Sequence, residues 1–138
     1  MKTRTFAGTR VGAVGLGCMS MSWAYGPSER DDRASQALIR EAVELGVTFL
    51  DTSDVYGLGH NETLIGRALA GIRDRVVLCT KGGLVGDPDT GRVGRNGSPR
   101  HLKQAAEASL RRLGTDVIDL YYLHRVDPEV PLADSWGA

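Results

Sequence analysis

The sequence has little of what would set it apart from an ordinary globular protein. An excess of charge of either sign is missing: seventeen Lys and Arg offset seventeen Asp and Glu among 138 residues. A balanced chain creates no field that would draw it to nucleic acid or to an anionic lipid surface, so neither is expected as a partner. No segment approaches the roughly 18 apolar residues of a membrane span. Cysteine is scarce. Cys18 and Cys79 lie far apart inside apolar stretches, which reads as two reduced thiols rather than a disulfide framework. Met1–Thr9 is polar and lacks the apolar core of a signal peptide, so the expected location is cytoplasmic. Without a secretion signal, Asn61-Glu62-Thr63 and Asn96-Gly97-Ser98 read as accidental matches to the glycosylation pattern. Cys-x-x-Cys and clusters with metal-ligand spacing are absent, so no metal is expected. Gly12, Gly15 and Gly17 stand in the wrong order for a dinucleotide-binding glycine loop.

What is present is a regular alternation of apolar runs and punctuation. Lys2–Phe6 and Arg10–Val14 flank Ala7-Gly8-Thr9 as a short hairpin. Gly15–Met19 reads as a glycine-rich first strand, followed by a loop with Trp23, Gly26 and Pro27. Helical spacing predicts a first helix over Asp31–Leu45, with Ala34, Ala37, Leu38, Ala42 and Leu45 on its inner face and Gly46 as its stop. Val47–Leu50 is a second strand. Asn61 is placed as the cap of a second helix with inner residues Leu64, Ile65, Ala68 and Leu69, ended by Gly71. Arg75–Thr80 is a third strand. A long polar loop, Gly82–Gly97 with six glycines, follows; loops that long without structure are uncommon and often functional. Ser98 and Pro99 open a third helix with inner residues Leu102, Ala105, Ala106, Ser109, Leu110 and Leu113, stopped by Gly114. Val117–Leu123 is a fourth strand, and Pro131–Ala138 begins a fourth helix. Three strand–helix units plus a fourth strand mean a parallel sheet with helices outside it. The pattern leaves open whether the sheet is doubly wound or part of a barrel.

Asp51, Lys81 and His124 each follow an apolar strand. In a parallel α/β sheet those positions share the carboxyl edge, where ligands bind. Tyr56 lies five residues beyond Asp51 and can fold back over that edge. Each residue alone has a plainer use: an Asp there caps a turn, a Lys ends in solvent, a His or Tyr packs. Together they make a coherent acid–base set. A phenol ordinarily gives up its proton only near pH 10, and an adjacent ammonium favours the phenolate. Lys81, held by Asp51, is expected to act so on Tyr56, with His124 bonding the substrate oxygen. His60 and His101 are expected at the surface. Tyr121 and Tyr122 are expected to pack on opposite faces of the fourth strand.

The motifs Gly15-Leu-Gly-Cys-Met19, Phe49-Leu-Asp-Thr52, Asp54-Val-Tyr-Gly57, Asn61-Glu62, Ile65-Gly-Arg-Ala-Leu69, Thr80-Lys81, Gly97-Ser-Pro99, Ser109-Leu-Arg-Arg-Leu-Gly114 and Ile118-Asp-Leu-Tyr-Tyr-Leu-His-Arg125 resemble the aldo-keto reductase superfamily, most closely its members with the Gly-Leu-Gly-Cys-Met start. The resemblance implies an α/β fold: the N-terminal half of a (β/α)8 TIM-type barrel, with an N-terminal β-hairpin over residues 1–14 and βα units one to four over 15–138. It implies Tyr56 as proton donor, Lys81 as its tuner, Asp51 as the lysine's partner and His124 as substrate orienter, in NADPH-dependent reduction of a small aldehyde or ketone. Met19 and Asp51 would contact the cofactor, and Trp23, Tyr56 and His124 the substrate.

A whole barrel of this kind takes about 250 residues, so strands five to eight, with the family's main NADPH grip, are expected to be missing. Three readings stay open: a reductase, a cofactor-independent acid–base enzyme on the same scaffold, and a non-catalytic half-barrel. Unpaired first and fourth strands invite pairing with another chain, so the 138-residue chain is expected to self-associate as a homo-oligomer. Light scattering on the purified chain should give a mass above that of one protomer at micromolar concentration; a well-folded monomer would contradict this expectation.

Overall fold

In the computed structural model, which describes residues 1–24 and 30–138, the alternation becomes a four-stranded parallel sheet backed by helices. Strands β1 (Thr3–Phe6) and β2 (Thr9–Gly12) form an antiparallel hairpin. Ala7 and Gly8 both take positive φ, 45° and 82°, the mirror-image turn that matches the right-handed twist of two strands. Strands β3 (Leu16–Gly17), β4 (Phe49–Asp51) and β5 (Val77–Gly82) follow. A second hairpin consists of β6 (Leu84–Gly86) and β7 (Val93–Arg95), and β8 (Leu120–Leu123) completes the set. The parallel sheet runs β3-β4-β5-β8. Helices α1 (Asp32–Glu44), α2 (His60–Leu69) and α3 (Pro99–Leu113) cover one face, and a short α4 (Leu132–Trp136) follows β8.

The register places the site. Asp51 pairs with Cys79 and Cys79 with Leu120; two residues up, Lys81 pairs with Tyr122. Even spacing keeps Asp51, Cys79, Lys81, Leu120, Tyr122 and His124 in phase on one face. The residues the sequence aligned by strand end are therefore staggered, each step rising two residues, about 6–7 Å. Such a rise from strand to strand is how parallel strands tilt around a barrel.

The two faces have separate cores. On the helix side, Leu50 and Leu78 are fully buried among Cys18, Ile39, Val43, Leu64, Ile65, Ala68, Leu69 and Leu113; burying each leucine is worth about 1.5–3 kcal/mol. On the other face, Val11 of β2 meets Val77 and Cys79, with Phe49, Leu120 and Tyr122 around them. The first hairpin thus covers the floor of the inner face, and the Gly12 N–H donates to Thr48 Oγ1 at 3.0 Å. Tyr121 and Tyr122 take opposite faces, as their alternation predicts. Tyr121 lies under α3 near the Leu102 carbonyl and burial raises its pKa, while Tyr122 faces inward.

Several expectations need correction. The buried stripe of α1 is Ile39 and Val43, whereas Ala34, Ala37, Leu38 and Leu45 are exposed; the alanines and leucines spelled a second, competing stripe at the same period. Asn61 is no cap. Gly59, left-handed at φ 91°, precedes α2, and Asn61 is buried in its first turn. Residues 82–97 are structured rather than open loop, because β6 and β7 pair around the Asp87–Arg92 turn. His101 is half-buried on α3, its pKa lowered by burial. Gly26 and Pro27 of the first loop lie outside the described residues.

Charged groups also tie the layers together. Glu62 on α2 is fully buried and accepts from Thr80 Oγ1 of β5 and from Arg112 Nε of α3, both at 2.6 Å. Beside it α2 touches α3 backbone to backbone, since a Cβ on Gly66 would meet the Leu113 carbonyl oxygen at 2.5 Å. Gly66→Ala should therefore destabilise the fold by about 1–3 kcal/mol through overpacking, although alanine favours helix by about 1 kcal/mol. The check is a lower urea midpoint with an unchanged m-value.

Candidate active site

The site is assembled at the carboxyl edge of the parallel sheet. Lys81, near the top of β5, sits two residues above Asp51 and turns its long side chain back down. Its Nζ donates to Asp51 Oδ1 at 2.6 Å and to the Thr52 carbonyl oxygen at 2.8 Å. The Tyr56 hydroxyl oxygen stands 3.3 Å from the same Nζ. Two fixed acceptors leave the ammonium one hydrogen, and it points at the phenol. The Tyr122 ring lies 5.9 Å from Nζ.

Tyr56 reaches this place because the chain reverses directly after it. Gly57, Leu58 and Gly59 take φ of 59°, 53° and 91° in succession. Glycine adopts the left-handed region freely, but leucine there costs about 1 kcal/mol. The Tyr56 ring is buried between two aromatic neighbours. Trp23 lies 5.6 Å away at a 30° tilt, and the His124 ring lies edge-on at 5.8 Å. Met19 opens a single helical turn, Met19–Met21, directly above β3; the Trp23 N–H donates back to its carbonyl oxygen at 2.9 Å.

His124 follows β8 and is half-buried. Its pKa is lowered, first by burial and then by the positive charges of Lys81 and Arg125. Its Nδ1 is 3.0 Å from Ser53 Oγ. Asp54 is held the other way: burial, and then the negative charge of Glu62, push its carboxyl up to about 6. Cys18 and Cys79 are free thiols, each pushed up to about 12 chiefly by burial, so they are poor nucleophiles.

The structure thus brings Asp51, Tyr56, Lys81 and His124 together, with Trp23 against Tyr56. Two contributors went unnoticed in the sequence, the Thr52 carbonyl and Ser53 behind His124, while Asn61, expected as a helix cap, lies beneath the Met19–Met21 turn. Asn61 Nδ2 donates to the Cys18 carbonyl and to Ser22 Oγ, both at 2.8 Å. The only available signal was the polar run Thr52-Ser53-Asp54 following an apolar strand, which pattern alone assigns to a turn.

Residues 13–138 match the model of the aldo/keto reductase family. A curated relative, the aldo-keto reductase yakc of Schizosaccharomyces pombe, named for NADP(+), is 44% identical over 138 residues, covering 99% of this chain and 40% of its own length. The solved holo form of an aldo-keto reductase from Bacillus halodurans superposes with a TM-score of 0.86 at 35% identity, over 98% of this chain and 44% of its own. An aldo-keto reductase from Klebsiella pneumoniae, solved with NADPH, has a TM-score of 0.75 at 33% identity, over 99% and 44%. The chain therefore spans about two fifths of the length of the relatives it matches. The half-barrel fold expected from the motifs is what these superpositions share.

The Asp54 environment generates a stability prediction. An unfolded chain loses the Asp54 proton near 3.8, the folded one near 6. Folded protein binds more protons in that window, so this residue's contribution falls as pH rises through it and is least favourable above pH 6. Asp54→Asn should then stabilise the fold at pH 8 by about 1–2 kcal/mol, with the gain fading toward pH 4. Urea unfolding of both proteins at the two pH values measures it.

Proposed function

The chain belongs to the aldo/keto reductase family, and from that premise we propose that its sheet edge carries the proton-transfer half of an NADPH-dependent reduction of a small aldehyde or ketone. The observation that carries the reading is the Tyr56 hydroxyl held 3.3 Å from an ammonium which is itself anchored by Asp51 and by a backbone carbonyl. In this reading a substrate carbonyl oxygen sits between the Tyr56 hydroxyl and the His124 imidazole. Tyr56 gives its proton to that oxygen as negative charge develops there, and the resulting phenolate is stabilised by Lys81. Asp51 keeps the ammonium in place. His124, neutral through burial and neighbouring positive charge, orients the carbonyl without adding a cation. Trp23 forms an apolar wall beside Tyr56.

The residues present fit part of a nicotinamide site. Asp51 is a third exposed and has only Oδ1 engaged among the described residues, so Oδ2 is open to a carboxamide N–H. Met19 stands above β3 at the same edge. A nicotinamide cofactor held there would supply the hydride that, with the Tyr56 proton, makes a carbonyl an alcohol.

The experiment is the loss of NADPH absorbance with benzaldehyde and the purified chain. Tyr56→Phe should cut turnover by ~10²–10⁴-fold, the usual worth of an acid–base group. Lys81→Met should fall in the same range. The rate should also decline on the acid side, at a pH below the usual imidazole value of 6.5, as His124 takes a proton. Unchanged turnover in Tyr56→Phe would end the reading. Turnover without nicotinamide that Tyr56→Phe abolishes would replace it with cofactor-independent acid–base chemistry.

A further inference from the structure

Beside the reductive site lies a directed chain of hydrogen bonds in which one imidazole joins two distant points of the backbone. Asn61 Nδ2 donates to the Cys18 carbonyl, which can only accept, so the orientation of its amide is determined. Its Oδ1 accepts from Thr52 Oγ1 at 2.6 Å, and its other N–H goes to Ser22 Oγ. The Ser22 hydroxyl, already accepting, has its own hydrogen for His60 Nδ1 at 2.8 Å. His60 then carries its hydrogen on Nε2 and donates to Asp32 Oδ2 at 3.0 Å. Every donor in the chain has an acceptor when His60 is neutral with the proton on Nε2.

Ser, His and Asp in a row are the residue types of a hydrolytic triad, but Ser22 is 5% exposed and its oxygen already accepts from Asn61. The arrangement holds rather than attacks. What it holds is the Met19–Met21 turn against the start of α1. His60 bonds Ser22, adjacent to Trp23, and Asp32, the first residue of α1. A single side chain from α2 thereby links Ser22, the residue before Trp23, to the first residue of α1.

We propose that His60, held by Asp32, is a positioning residue that fixes Trp23 against Tyr56 and so sets the substrate-side wall of the site. The proposal rests on the reductase reading for its effect on turnover, and on geometry alone for its effect on Trp23. If it holds, loosening the tie blurs the carbonyl pocket and leaves proton transfer from Tyr56 intact. The loss therefore falls on KM rather than kcat.

The test compares Asp32→Ala, His60→Ala and Asp32→Asn with the unmodified full chain. Asp32 is half exposed, so its variants should fold. Asn retains an acceptor for the Nε2 hydrogen. Asp32→Ala and His60→Ala should raise KM for benzaldehyde about tenfold with kcat within about twofold, while Asp32→Asn matches the parent. Fluorine NMR of fluorotryptophan-labelled protein, with Trp136→Phe to assign the Trp23 signal, should show that signal shifted or broadened in the two alanine variants only. An unchanged Trp23 signal overturns the proposal. So does Asp32→Asn behaving like Asp32→Ala, and so does a shifted signal with unchanged KM. If the parent chain shows no turnover, the reductase reading fails, and the Trp23 signal alone still decides whether His60 holds Trp23.

Discussion

The contact between Lys81 and Asp51 organises the candidate site. The two residues lie on adjacent strands but two levels apart, and the lysine spans the gap because its side chain is long. Its ammonium is partly desolvated, which would be costly if it were unpaired. The Asp51 carboxylate and the Thr52 carbonyl satisfy two of its hydrogens, and the third finds the Tyr56 oxygen. Carboxylate, backbone carbonyl and phenol thus meet at one nitrogen. A shorter cation on β5 could not reach down to Asp51, and a shift of one residue in register would turn Lys81 toward the helices.

Around that nitrogen the structure spends many of its buried polar side chains on alignment. Glu62 clamps β5 to α3 through Thr80 and Arg112. One residue earlier, Asn61 clamps β4 to the Met19–Met21 turn through Thr52, Cys18 and Ser22. Neighbouring positions in the first turn of α2 therefore hold opposite sides of the site. Each is fully buried and hydrogen-bonded, the condition under which buried polar groups add specificity without a large desolvation loss. The left-handed run after Tyr56 delivers α2 at the angle that lets both residues reach inward.

The half of the barrel present here holds the groups that the proposed proton transfer would use. Its strand ends supply an acid, a cation, a carboxylate and an imidazole, and its first loop supplies an aromatic wall. The matched relatives extend well beyond this chain. Proton donation needs only groups within hydrogen-bond reach of one oxygen, so it fits on four adjacent strands, whereas a dinucleotide needs contacts spread over a wider rim.

The alternation of apolar runs with glycine and proline punctuation was enough to order the strands and helices, because buried parallel strands and amphipathic helices must follow those periods. Ionisable residues directly after strands were enough to name Asp51, Lys81 and His124, since strand ends share one edge in a parallel sheet. Local signals failed where two patterns competed or where a partner was distant. The alanine and leucine stripe of α1 outscored the true one, a glycine hairpin passed for open loop, and Asn61 was taken for a cap when its partners lay as much as 43 residues away. The sequence by itself determined which residue types stand at the sheet's edge. Only the tertiary structure decided that strand stagger brings Lys81 down to Asp51, that the turn after Tyr56 folds the phenol onto the ammonium, and that His60 bridges Ser22 and Asp32. Those are through-space distances between segments that approach only after packing, and no local period encodes them.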